Sequence, residues 1–143
     1  MTPTNEIRLQ FLSRSTNEQF ARMAVAAFLL PLDPLVDELT DVKTAVSEAV
    51  TNCIVHAYPD RMGRITLTAK LYDRRLVVQV KDTGVGIPDI PMAMQPLFTT
   101  APTEERAGLG FAVMESFMDK LRVRSTPGKG TTVTMEKLLA QKL

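Results

Sequence analysis

Glu48-Ala-Val-Thr-Asn52-Cys-Ile-Val-His56 decides the reading of this chain, together with Asp82-Thr-Gly84-Val-Gly86-Ile and Gly108-Leu-Gly110, which follow it in that order. Glu48 and Asn52 are four residues apart, so a helix stacks their side chains on one side. A carboxylate and an amide so placed suit phosphoryl transfer. Mg²⁺ takes hard oxygen ligands and borrows the rest from phosphates and water, while a carboxylate orients and deprotonates the attacking hydroxyl. Asp82 directly follows an alternating apolar run. There its carboxylate can accept a hydrogen bond from an adenine amino group, and Gly84 and Gly86 let the base approach the backbone. Gly108 and Gly110 stand at the mouth of a later helical pattern, where free N–H groups and the helix dipole can meet phosphate. Arg106, just before them, can pair with a terminal phosphate. Each piece has a plainer reading when isolated: a solvated helix face, a turn, a helix boundary, a loop arginine. Their order and spacing make nucleotide binding the leading expectation.

Two familiar phosphate-binding patterns are excluded. Asp82 to Gly86 is followed by Ile87 and Pro88 rather than by the third glycine and immediate helix of a dinucleotide fingerprint. Gly128-Lys-Gly-Thr-Thr lacks the distant first glycine and the Lys-Ser/Thr pair of a P-loop.

Working outward, residues 6–13 alternate as a first strand. A helix over 17–30 follows, with Ser15 or Thr16 as its cap, Glu18 in its first turn, and Phe20, Met23, Ala24, Ala27 and Phe28 as its apolar stripe. Pro31 ends it. Asp33-Pro34 then opens the nucleotide helix, which is buried through Leu35, Leu39, Val42, Val46, Ala49, Val50 and Cys53 and extends to about residue 57. Tyr58-Pro59-Asp60 stops it. Two alternating strands, 64–71 and 76–80, flank a turn at Asp73-Arg74. From Ile87 to Ala107 the pattern dissolves among prolines, and long loops in compact domains are often lids. A third helix over 110–120 and strands near 121–126 and 131–137, joined at Pro127-Gly128-Lys129-Gly130, complete the chain. These elements predict an α+β fold: a mostly antiparallel sheet covered on one face by helices, in a single domain over residues 1–143.

The bulk numbers narrow the function classes. At 143 residues and 45% apolar content, the chain can bury one substantial core. With 17 basic against 16 acidic residues, net charge offers no case for nucleic acid or an anionic membrane. The single cysteine, Cys53, forbids an intramolecular disulfide and falls on the apolar stripe as a small core residue. The N-terminus lacks a signal-peptide pattern, and Met23 to Leu32 is too short an apolar run to cross a bilayer, so a cytoplasmic protein is expected. The only histidine, His56, lies within the nucleotide helix and is expected to pack rather than to carry phosphate.

The four segments Glu48–Tyr58, Asp82–Gly86, Gly108–Gly110 and Gly130-Thr131-Thr132 resemble the N, G1, G2 and final boxes of the GHKL ATPase/kinase superfamily, which includes histidine kinases, gyrase B and MutL. Phe20-Ala-Arg22, Leu32-Asp-Pro34, Asp37-Glu-Leu-Thr40, Gln95-Pro-Leu-Phe-Thr-Thr100 and Met114-Glu-Ser-Phe-Met-Asp119 are similar, more narrowly, to the sporulation anti-sigma serine kinases of that superfamily. The resemblance covers nearly the whole chain. Ala57, where glycine is common, Ala107, where serine is common, and Lys129, in place of a bulkier apolar residue, are the departures.

The resemblance implies the two-layer Bergerat sandwich, ATP/ADP and Mg²⁺ as cofactors, and roles residue by residue. Glu48 is matched to the catalytic base and Asn52 to the Mg²⁺ ligand. Asp82 is matched to the adenine-reading carboxylate, with Thr131 assisting through water. Gly84 and Gly86 would pass under the base, while Arg106, Gly108 and Gly110 close over the phosphates and Thr99 contributes from a lid around 95–107. Arg22 would contact both a sporulation sigma factor (sigma F-like) and the anti-anti-sigma factor that is the serine substrate. A homodimer is implied, and the open edge of the first strand offers a seam for it. The alternatives are a stress-response anti-sigma kinase of the same family, a non-catalytic ATP-gated binding module, and an excised histidine-kinase catalytic domain.

Overall fold

A computed structural model describes residues 1–94 and 110–141. The lid expected at 95–107, with Thr99 and Arg106, and Gly108 beyond it, lies outside the described residues. The elements run β1 (Asn5–Leu12), α1 (Thr16–Leu29), a 3₁₀ turn (Leu30–Leu32), α2 (Val36–Asn52), a π-helical turn (Cys53–Ala57), β2 (Arg64–Tyr72), β3 (Arg75–Asp82), α3 (Ile90–Ala93), α4 (Gly110–Phe117), β4 (Lys120–Thr126) and β5 (Gly130–Leu138).

The sheet has five strands in the order β1-β2-β3-β5-β4, and every neighbouring pair is antiparallel. Alternation decides which side chains face the helices. Along β2, Ile65, Leu67, Ala69 and Leu71 are buried while Arg64, Thr66, Thr68 and Lys70 are not. Leu76, Val78 and Val80 of β3 and Val133 and Met135 of β5 continue the same buried face. Onto it pack Val25 and Leu29 of α1, Val42, Val46 and Val50 of α2, and Met114 of α4, all in one hydrophobic cluster. Helix α2 is central, with α1 and α4 both packed against it. The α+β sandwich with helices on one face is therefore as expected.

Four local readings are corrected by packing. The buried face of α1 is Ala21, Val25, Ala26, Phe28 and Leu29, while Phe20 and Met23 are exposed. Helices α1 and α2 pack together and both bury small residues, Ala21 on the first and Ala45 and Ala49 on the second, which suits close helix approach, while Phe20 and Met23 turn outward. Helix α2 starts at Val36, not at Pro34, because Asp33 adopts a left-handed conformation (φ 51°) that closes the 3₁₀ turn. The Leu35 N–H then bonds Glu38 Oε1 at 2.9 Å. Helix α4 stops at Phe117, since the Asp119 N–H already bonds the Glu136 carbonyl (2.8 Å) and Lys120 joins the sheet. The stretch after Ile87 also holds the short α3, capped by Asp89 accepting from the Met92 N–H at 3.0 Å.

Strands β1 and β4 form the two sheet edges. Among the described residues, no helix is long and apolar enough to cross a membrane.

Candidate functional site

Helix α2 does not end as a regular helix. The Tyr58 N–H bonds the Cys53 carbonyl (3.2 Å), an i to i+5 closure that widens the last turn. The widened turn delivers two groups toward the loop that follows β3. One is the Ala57 carbonyl, which accepts from the Val85 N–H at 3.0 Å. The other is the Cys53 thiol, 3.4 Å from Asp82 Oδ2.

Asp82 is the last residue of β3 and is buried. Its Oδ1 accepts the Gly84 N–H (2.9 Å) and the Thr131 N–H (3.2 Å), so one oxygen is held by two backbone donors from different strands and loops. Its Oδ2 faces Cys53. Burial first, then the charge of Asp82 and the hydrogen bond to it, push the Cys53 thiol well above its ordinary range. At neutral pH it is therefore a protonated donor to the carboxylate.

The glycines of the loop are required by close approach. A Cβ at Gly84 would lie 2.2 Å from the Ala57 carbonyl oxygen, and Gly86 has φ +78° with the Thr126 carbonyl 2.5 Å from where a Cβ would be. Tyr58 clamps the same loop. The Thr83 N–H donates to its hydroxyl (2.7 Å), and the hydroxyl donates to the Arg64 carbonyl (2.7 Å). Ser125 holds the far side, accepting from the Ile87 N–H at 2.7 Å and lying 2.8 Å from Thr131 Oγ1. Thr131 itself is buried beside Asp82 across the β3–β5 ladder.

Glu48 is buried on α2, and Asn52 one turn later is half-buried. The first residue of α4 packs directly on the amide: a Cβ at Gly110 would come within 2.8 Å of both Asn52 Oδ1 and Nδ2. The structure thus brings Glu48, Asn52, Asp82, Gly84, Gly86, Gly110 and Thr131 to the junction of α2, the loop after β3, the start of α4 and the start of β5. Arg22 stands apart on α1, paired with Glu18 at 2.9 Å and partly exposed.

An amide oxygen with a glycine backed against it leaves room for a cation that arrives already carrying phosphate oxygens and water. Among the described residues there is no group of three or more His, Cys, Asp or Glu side chains that could hold a metal ion unaided. The donor set fits Mg²⁺ bound together with a nucleotide.

Sequence reasoning missed three positioning groups. Tyr58 was a helix stop, Cys53 a core filler and Ser125 a strand residue. Only the polar hydroxyl of a buried tyrosine offered a signal, because such a group needs a partner.

Comparison with known proteins speaks to the family and the fold. The family model described as a histidine kinase-like ATPase domain matches residues 13–137. A protein of Caldanaerobacter subterraneus subsp. tengcongensis named anti-sigma F factor is 56% identical over 141 residues, covering 99% of each chain. One of the same name from Geobacillus kaustophilus is 54% identical over 138 residues, covering 96% of this chain and 94% of its own. Among solved structures, the RsbU and RsbW domains of a Mycobacterium tuberculosis protein superpose with a TM-score of 0.68 at 20% identity, over 96% of this chain and 32% of that one. The catalytic domain of the histidine kinase ThkA superposes at 0.58 with 16% identity, over 92% of this chain and 95% of that one. At such identities the structures speak for the fold alone. The full-length relatives and the matched domain together place the chain in the anti-sigma F factor family of histidine kinase-like (GHKL) ATPase domains.

Proposed function

We propose that the chain is an ATP-dependent protein serine kinase that also acts as an anti-sigma factor, sequestering a sigma F-like sporulation sigma factor and phosphorylating its anti-anti-sigma antagonist on serine. The observation that carries the kinase half is the placement of buried Glu48 and half-buried Asn52 one turn apart on α2, with Gly110 backed against the Asn52 amide. The anti-sigma half rests on the shared name of relatives more than half identical over nearly the whole chain.

In this reading Asp82 accepts a hydrogen bond from the adenine amino group, while Gly84 and Gly86 keep side chains out from under the base. Asn52 holds Mg²⁺ through its amide oxygen, and the ion offsets phosphate charge when bound. Glu48 accepts the proton of the substrate serine as that oxygen bonds the γ-phosphorus and the bond to the ADP oxygen breaks. The product serine phosphate carries about −1.5 to −2 charges at neutral pH, enough to unseat a closely docked partner.

Gly110 would contribute backbone N–H to the phosphates at the start of α4, together with Arg106, Gly108 and Thr99 from the neighbouring segment. Arg22 would serve as the contact shared by sigma factor and antagonist. Its neighbours on the same helix, Phe20 and Met23, are exposed apolar side chains of the kind that dock partners. A homodimer through the open edge of β1 completes the proposal.

The test is transfer of labelled γ-phosphate from Mg-ATP to a serine-bearing anti-anti-sigma protein, with wild type beside Glu48→Gln. Transfer lost in the variant while ATP still binds supports both kinase and base. No transfer by wild type with ATP bound overturns the kinase and leaves an ATP-gated sigma-binding module. Loss of neither partner on Arg22→Ala would remove the shared docking site.

A further inference from the structure

Three donors converge on the Asp82 carboxylate, and only two of them are backbone groups. Gly84 N–H and Thr131 N–H both reach Oδ1, at 2.9 and 3.2 Å. They fix one oxygen but leave the carboxylate free to turn about it. The second oxygen, the one left with acceptor capacity for a ligand, is met by the Cys53 thiol at 3.4 Å. The thiol is itself immobilised: Cys53 is 4% exposed, begins the π-helical turn, and belongs to the hydrophobic cluster.

We propose that Cys53 is a positioning residue for base recognition, its thiol proton holding Asp82 Oδ2 in the plane from which the carboxylate reads an exocyclic amino group. The proposal rests on the reading of Asp82 as the adenine acceptor and adds to it a side chain outside the boxes' polar residues. A carboxylate oxygen accepts more than one hydrogen bond, so the thiol and an incoming amino group can share Oδ2. The thiol sets the direction of the oxygen before the ligand arrives, and the ordering is not charged against binding. A neutral nearby methyl group would fill the same space without doing this. A thiol is a weak donor, so the effect is modest and specific to the amino group.

The experiment measures equilibrium affinity of the full chain for Mg-ATP and for Mg-purine riboside triphosphate, which lacks only the amino group. Wild type, Cys53→Ala, Cys53→Ser and Asp82→Asn are compared, with thermal midpoints recorded for each. In wild type, ATP binds about ten-fold tighter than the analogue or more, as one charge-assisted hydrogen bond provides. In Cys53→Ala, ATP affinity falls by about three- to ten-fold while the analogue changes by less than about two-fold. Cys53→Ser, which keeps a donor at the same position, restores most of the discrimination. Should Cys53→Ala fail to fold, Cys53→Val removes the donor while filling the space.

Equal losses for both nucleotides, or unchanged discrimination in the donor-free variant, overturn the positioning role, since a packing defect alone would act on both ligands. If wild type does not discriminate, or Asp82→Asn discriminates as wild type does, the adenine reading itself falls. If Asp82→Asn abolishes discrimination and Cys53→Ala leaves it intact, only the thiol's role falls.

Discussion

At the Asp82 end of the site, donors from three separate segments meet one carboxylate. At the Glu48 end, two polar side chains share a single helix and take their precision from how that helix is packed. The first arrangement is over-determined locally: Gly84, Thr131 and Cys53 hold the carboxylate, while Tyr58 and Ser125 hold the loop beside it. The second depends on Val42, Val46 and Val50 fitting between α1, α4 and the sheet, which fixes α2 as a rigid body. A base-reading group needs a fixed orientation toward a flat ligand. A proton acceptor needs a fixed position but has to exchange its partner during the reaction. Under the proposed roles, the difference teaches that recognition and chemistry would be stabilised through different kinds of contact, hydrogen bonding at one end and core packing at the other.

That contrast is broken or sharpened by four measurements, from the largest expected effect to the smallest. Glu48→Gln should lower phosphate transfer by about 10²- to 10⁴-fold, the range for a positioned general base, with ATP affinity nearly unchanged. A parallel loss of ATP binding would mean that Glu48 belongs to recognition as much as to chemistry. Asp82→Asn should weaken ATP by roughly 10- to 100-fold, because an amide cannot accept all the donors that converge there. Isothermal titration reads this directly, and an unchanged affinity would sink the adenine assignment.

Tyr58→Phe takes away the hydroxyl that joins the part-buried Thr83 N–H and Arg64 carbonyl, at a cost of about 0.5–1.5 kcal/mol. Urea unfolding should show that loss, and ATP affinity should fall with it because the loop after β3 loosens. A stable variant with wild-type affinity would show that the loop is held without Tyr58.

The smallest effect is a pH dependence. Cys53 has its folded pKa raised, so the unfolded thiol ionises first as pH climbs past about 8.5. Folding favours the protonated form, and its contribution is whole below that pH and lost progressively above it. The slope is at most about 1.4 kcal/mol per pH unit for this one proton. Cys53→Ala should flatten this part of the stability profile between about pH 8.5 and 10. An unchanged slope would assign the alkaline loss to other groups.

Much of the fold was legible because alternation and helical spacing are local. Ile65 to Leu71 and Leu76 to Val80 announce strands, and their sheet positions follow from a short turn at Asp73-Arg74. Less legible was anything decided by a neighbour distant in sequence. The choice between Phe20 and Ala21 as the buried side of α1 depended on α2, whose alanines demand close approach. The end of α4 depended on β5, which captures the chain at Asp119.

By itself the sequence determined the chemical inventory and its order: Glu48 and Asn52 on one helix side, Asp82 at a strand end, glycines where side chains would collide, and a family likeness over nearly the whole length. Tertiary structure alone decided that Cys53, Tyr58 and Ser125 serve Asp82 and its loop, because those contacts join residues 25 to 38 positions apart. It also decided where charge lies. A net charge of +1 hides the grouping of Lys81, Arg122 and Arg124 on the sheet face away from the helices, without ion pairs among the described residues. Composition records how many charges a chain has, and periodicity records which side of its own strand each one takes. Only the pairing of strands, a long-range choice made by the buried face, places those sides next to one another.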